Sequence, residues 1–192
     1  MKILVIDNQT KHLDHLKAAL AGHEVVVKDF YRLQSTDADG CDAVILSGGG
    51  GVPVAHNLNA LKAEINLVEE CGLPVLGICY GFELIAAAYG AKLKFVGRKI
   101  RGYVDINTTK DNGLFAGFDK KVGLPAFEGH RWIVETAGSE LDVLATSENG
   151  IEAIKHRHKP IYGVQFHPEA SEKAGDGARI IANFLELAAG KR

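Results

Sequence analysis

The chain has 192 residues, 46% of them hydrophobic and 24% charged, with a formal net charge of −2. That is long enough to bury a full core in one domain, expected to span 1–192, and far too neutral for a broad nucleic-acid surface. No stretch approaches the roughly 20 apolar residues of a membrane span, and the short apolar run after Lys2 is too brief for a signal peptide.

The first half alternates in texture. Ile3-Leu4-Val5-Ile6 reads as a buried strand, and residues 9–21 then set Leu13, Leu16 and Leu20 on one helical face. Glu24-Val25-Val26-Val27 is a second strand. Ala43-Val44-Ile45-Leu46 is a third, running into Ser47 and four glycines. Between Leu58 and Cys71, the residues Leu61, Ile65 and Val68 recur at helical spacing, and Gly72 closes that helix. Val75 to Ile78 is another apolar strand, followed by a helix over about 80–89. Short apolar strands alternating with amphipathic helices predict an α/β fold: an open, mostly parallel twisted sheet with helices on both faces.

After Gly90 the pattern changes to shorter strands of alternating polarity, at Lys92–Val96, Ile100–Ile106, Ile133–Glu135 and Leu141–Ala145. Ile151–His156 and Ile161–Phe166, joined at His158-Lys159-Pro160, read as a hairpin. These segments predict a smaller antiparallel C-terminal portion. A last helix over 176–187 buries Ile180, Ile181, Phe184 and Leu185. The basic run Lys155-His156-Arg157-His158-Lys159 is short and reads as a solvated turn rather than a nucleic-acid contact. Cys41, Cys71 and Cys79 form neither a disulfide framework nor a zinc pattern, which favours a reducing, cytoplasmic setting.

The chemistry concentrates at strand ends. Gly77-x-Cys79-x-Gly81 has the layout of a nucleophile elbow: strand, sharp turn, helix. Glycines on either side give the strained turn room, and the helix N-terminus favours a thiolate. A merely packed cysteine would fit the same run. A reactive cysteine needs a base, and Gln165-Phe166-His167-Pro168-Glu169 supplies one at the end of an apolar strand. Pro168 biases His167 toward an extended conformation, where Glu169, two residues on, points the same way and can orient the imidazole. Together these segments suggest a Cys-His-Glu triad. Ser47-Gly48-Gly49-Gly50-Gly51 opens backbone N–H groups to a ligand. No phosphate-loop lysine follows it, so it reads either as an oxyanion hole completed by the Tyr80 N–H or as a plain flexible loop. No metal-ligand cluster stands out.

The segments "VIDN", "VILSGGG", "LPVLGICYGFELIAAAYGAKL" and "KPIYGVQFHPE" resemble the class I glutamine amidotransferases over nearly the whole chain. The resemblance implies hydrolysis of glutamine to glutamate and ammonia, with Cys79 as nucleophile, His167 as base, Glu169 as its orienter, and Gly49 and Tyr80 as oxyanion donors. Its implied partner is a separate ATP-dependent synthetase; ATP and Mg²⁺ would belong to that partner, and this chain needs no cofactor. Within the family, "EAIKHRHKPIYGVQFHPE" is similar to the separate glutaminase subunits of archaeal-type GMP synthases, which serve the conversion of XMP to GMP. Two positions depart from the pattern. Glu83 replaces the usual Gln four residues after the cysteine, and as an anion it would attract the substrate ammonium and repel its carboxylate. Gly129-His130-Arg131-Trp132 replaces a Ser-His-Gly-Asp-like stretch, and is similar instead to subunits of anthranilate and aminodeoxychorismate synthases. Glu83, Arg131 and Trp132 are thus candidate substrate contacts. Other expectations compatible with the residues are a hydrolase acting on another γ-glutamyl amide and a non-catalytic binding relative.

Overall fold

The computed structural model describes residues 1–109, 112–119, 123–170 and 176–190. Nine strands form one sheet: β1 (Lys2–Asn8), β2 (Glu24–Asp29), β3 (Ala43–Gly49), β4 (Val75–Ile78), β5 (Lys92–Thr108), β6 (Leu124–Thr136), β7 (Leu141–Ser147), β8 (Gly150–His156) and β9 (Ile161–Val164). Four helices accompany them: α1 (Leu13–Ala19), α2 (Lys62–Glu70), α3 (Tyr80–Ala88) and α4 (Asp176–Ala188). The strand order is β2-β1-β3-β4-β9-β8-β6-β5-β7.

The fold is α/β, but the sheet is mixed rather than mostly parallel. Strands β2, β1, β3, β4 and β9 run parallel, and every pairing from β9 through β8, β6, β5 and β7 is antiparallel. The antiparallel half is larger than the sequence pattern suggests, because β6 shows there only as Ile133–Glu135. Its burial alternates from Leu124 onward, yet the inward positions include Glu128 and His130, which disguise the period. Similarly, the two segments expected at 92–96 and 100–106 are one strand, β5, with a register break against β6 between Phe95 and Ile100.

Helices cover both faces of the parallel half. On one, Leu16 and Leu20 near α1 and Ile180, Ile181 and Phe184 of α4 pack with Ile3, Val5, Ile45 and Ile78. On the other, Leu67 and Val68 of α2 and Phe82 and Ile85 of α3 pack with Leu4, Ile6, Val44 and Leu46. Each such side chain contributes roughly 1.5–3 kcal/mol when fully buried. Two helices are shorter than their apolar spacing suggests. Gln9, at φ 64, has the left-handed backbone that an α-helix excludes, and the Thr10 and His12 N–H groups bond to the Asp7 and Thr10 side chains instead. Leu58 lies in the turn before α2 and is 39% exposed.

The β8–β9 hairpin forms as expected, with Ala153 opposite Val164 and Lys155 opposite Tyr162. The basic run is only partly a solvated turn. His156 ends β8, is buried, and accepts the His158 and Lys159 N–H groups at Nδ1, both at 3.0 Å. Among the described residues, no helix is long and apolar enough to cross a membrane.

Candidate active site

Strands β1, β3, β4 and β9 deliver their C-terminal ends to one edge of the sheet, where open α/β folds bind ligands. Cys79 sits there between β4 and α3 as the helix N-cap, with φ 49 and ψ −98. A non-glycine residue held at such angles stores about 1–3 kcal/mol of strain, offset by the packing around it. The flanking glycines permit that packing. A Cβ on Gly77 would meet the Gly81 carbonyl oxygen at 2.5 Å, and one on Gly81 would meet Leu46 Cβ at 2.5 Å.

The histidine arrives on the segment after β9. The Cys79 N–H donates to the Val164 carbonyl (2.8 Å), and the His167 N–H donates to the Phe127 carbonyl on β6 (2.8 Å), so backbone bonds fix both partners. The imidazole is hydrogen-bonded to the Cys79 thiol. On its other side, Nδ1 lies 2.8 Å from Glu169 Oε1. A carboxylate only accepts, so Nδ1 carries the proton of the neutral ring and Nε2 is its acceptor nitrogen. Burial pushes the Cys79 thiol up, with His167 acting in the opposite sense. Burial also opposes the imidazolium, but the charge on sulfur and the Glu169 carboxylate outweigh it and shift His167 upward. Sulfur and ring thus hold the shared proton as a pair, and each favours the other's charged form against burial.

Beside the sulfur lies a cavity of about 390 Å³, within the usual range of roughly 300–1,000 Å³ for small-molecule sites. Gly49, Cys79, Tyr80, Glu83, Arg131 and Trp132 all line it. Tyr80 is the first residue of α3, so its N–H has no acceptor within the helix and is available to a ligand. Gly49 packs directly on the Asn8 backbone carbonyl. Asn8 anchors that loop from β1: its Nδ2 donates to Glu64 Oε1 at 2.9 Å, and its N–H to Ser47 Oγ at 2.9 Å. Gly48 and Gly49 thus belong to a braced strand end, and Gly50 and Gly51 follow it. Arg131 is exposed at the cavity wall, and Trp132 stands half-buried between the rings of His56 and Phe95, at 5.4 and 5.3 Å.

Glu83 requires a correction. It is 5% exposed, and burial pushes its carboxyl up to about 8, only partly countered by a hydrogen bond from Gln165. Burial thus favours the protonated carboxyl, which can donate a hydrogen bond as a Gln amide would.

Three contributors carry no mark in the sequence as site residues. His12 packs against His167 with ring centroids 5.1 Å apart, and burial together with His167 lowers its pKa. Lys99, beside the β5 register break, lines the main cavity and an adjoining one of about 320 Å³ that reaches His12 and His167. Gln165 opens the segment that bears His167, yet nothing in that segment gives it a task of its own. A histidine-rich stretch and a lone lysine carry no local signal; only the strand order brings them to the cysteine.

This architecture and site define a class of protein, and comparison with known proteins agrees. A family model described as Glutamine amidotransferase class-I matches residues 4–187, and the chain belongs to that family. Among its relatives is a glutamine-hydrolyzing GMP synthase subunit of Methanococcus maripaludis, 33% identical over 96% of this chain and 95% of the relative. Another is the aminodeoxychorismate synthase of Streptomyces griseus, 34% identical over 97% of this chain but only 26% of that longer protein. Among solved structures, a candidate GMP synthase subunit from Thermoplasma acidophilum superposes with a TM-score of 0.88, at 26% identity, covering 100% of this chain and 96% of that one.

Proposed function

We propose that this chain is the glutaminase subunit of a two-subunit GMP synthase, passing ammonia to a separate ATP-dependent synthetase. The observation that carries the chemistry is the hydrogen-bonded line from Cys79 through His167 to Glu169 at the wall of an amino-acid-sized cavity. The relatives named as glutamine-hydrolyzing GMP synthase subunits support the choice of synthetase. One nine-stranded sheet supports its acting as one domain over 1–192, and the unpaired cysteines support a reducing, cytoplasmic setting.

The geometry supports the following steps. His167 Nε2 takes the Cys79 proton, and the thiolate attacks the side-chain amide carbon of glutamine. The resulting oxyanion is met by the N–H groups of Gly49 and Tyr80. The imidazolium, held by Glu169, gives its proton to the departing ammonia, leaving a thioester on Cys79. The same ring then activates water, which releases glutamate and restores the thiol. Glu83, Arg131 and Trp132 contact the amino-acid end of the substrate.

A second reading is the glutaminase part of an aminodeoxychorismate synthase, supported by the Streptomyces relative and by Arg131-Trp132 in this wall. The test is ammonia release from glutamine, alone and with candidate synthetases. Glutamine-dependent amination of XMP with a GMP synthetase partner, ATP and Mg²⁺ is the expected result. Coupling only to a chorismate-using partner would select the second reading.

A further inference from the structure

Gln165 follows β9, is 1% exposed, and is held by its own N–H donating to the Glu152 carbonyl at 2.8 Å. Its side-chain Nε2 lies 3.9 Å from Cys79 Sγ and 3.3 Å from Glu83 Oε1. An amide nitrogen carries two hydrogens, so one can serve each acceptor. Among the described residues its Oε1 is buried with no hydrogen-bond partner. Either end of the amide can bond a neutral carboxyl, but only the N–H end can bond a thiolate.

On the assignment of Cys79 as nucleophile, we infer that Gln165 is a further catalytic residue: its side-chain amide stabilises the ionised Cys79 sulfur and links it to Glu83. As the proton leaves for His167, sulfur becomes a pure acceptor, and beside the imidazolium the Gln165 N–H is a second side-chain donor already in reach. Glu83 is then the neighbour whose charge matters most. The neighbours of Glu83 are Cys79 and Tyr80 of its own turn and Gln165 beyond β9, and Lys99, His130 and Arg131 line the same cavity. Burial keeps Glu83 neutral below its raised pKa; above it, a carboxylate draws on the same amide and opposes the thiolate.

The test measures kcat and KM for glutamine and the pH dependence of Cys79 alkylation by iodoacetamide in Gln165→Met, Glu83→Gln and the double variant. Gln165→Met is expected to lower kcat about tenfold, keep KM within about twofold, and move the alkylation midpoint to higher pH. Glu83→Gln is expected to move that midpoint down, and by less when Gln165 is already Met. Wild-type kcat and midpoint in Gln165→Met, or full additivity of the two shifts, would overturn the inference. Where Gln165→Met does not fold, Gln165→Asn keeps the amide but shortens its reach, and a wild-type midpoint there overturns it equally. Cys79→Ala separates the levels. Retained turnover in that variant removes the nucleophile assignment itself, whereas lost turnover with unaltered Gln165 variants removes only the role of Gln165.

Discussion

His167 Nδ1 and Glu169 Oε1 stand 2.8 Å apart, two residues from each other across Pro168, while the opposite edge of the ring meets the Cys79 thiol. Local chain geometry thus sets the tautomer, and a long-range contact sets the reaction partner. The Glu169 side chain is only 2% exposed, so this contact is little diluted by solvent. Among the described residues its Oε2 has no hydrogen-bond partner, and Oε1 is the oxygen that faces the ring.

From this arrangement, Cys79→Ala is expected to abolish glutaminase activity and labelling by a glutamine-mimicking electrophile. His167→Ala is expected to lose about 10²–10⁴-fold in kcat, since both base and acid go with it. Glu169→Gln is expected to lose less, because it misorients the ring without removing it. Cys41→Ser and Cys71→Ser are expected to keep activity; neither lines the cavity beside Cys79. Steady-state ammonia assays on the purified variants check all five.

A second expectation concerns Gly48. A Cβ there would sit 2.8 Å from His167 Cε1 and 3.7 Å from Cys79 Cβ. The ring, not the braced strand, is the part that can yield. Gly48→Ala is therefore expected to fold with a near-normal thermal midpoint yet lose about 10²-fold in kcat, as expected when a reacting group is displaced by about 1 Å. Wild-type turnover in that variant would mean the imidazole has room to relax without leaving the sulfur.

Much of this site was legible in the sequence because its parts are local. The elbow needs glycines two residues either side of the cysteine, and His167 needs only Pro168 and Glu169 to be oriented. The parallel strands were readable because both faces of β1, β3 and β4 are buried, giving unbroken apolar runs. Strand β6 was mostly hidden, because Glu128 and His130 occupy inward positions and bond to each other at 3.1 Å. Gln165 and Glu83 are 82 positions apart, so their contact follows from the β4–β9 pairing and cannot be seen locally. The upward shift of the Glu83 carboxyl is hidden for the same reason: it comes from burial, and burial depends on the neighbours that the fold brings in.

A third expectation is a loss of stability with rising pH. Glu152 is buried beside Glu128, and burial first, then the charge of Glu128, pushes it up to about 8 from an ordinary 4.5. The unfolded chain gives up this proton near its ordinary value, while the fold holds it until about 8. Its contribution is therefore full below about pH 4.5 and falls across the interval to about 8, by at most about 1.4 kcal/mol per pH unit. Glu64, pushed up to about 7 by burial, adds to the same trend. Thermal midpoints taken at mildly acidic and mildly alkaline pH should fall for the wild type and fall less for Glu152→Gln. An equal fall in both would show that this carboxyl does not hold its proton in the fold.

The last expectation concerns the affinity for glutamine, and it turns on the protonation of Glu83. The side chain lines the cavity, and burial favours its neutral form, which can donate to the substrate carboxylate as a Gln would. Glu83→Gln is therefore expected to leave KM within about twofold near pH 6.5, since one neutral donor replaces another. Above about pH 8 the two proteins should part. The wild type acquires a buried carboxylate beside the substrate carboxylate, and its KM should rise several-fold, whereas Glu83→Gln, with nothing to ionise there, should show a flatter profile. A charged contact of this kind is worth about 1.5–3 kcal/mol, which is at least tenfold when fully developed. Parallel KM profiles for the two proteins through the alkaline range would place the Glu83 carboxyl out of reach of the bound amino acid. A lower KM for Glu83→Gln already at pH 6.5 would mean instead that Glu83 is ionised in the resting site, and that its burial is relieved by a cation such as Lys99 or Arg131 across the cavity.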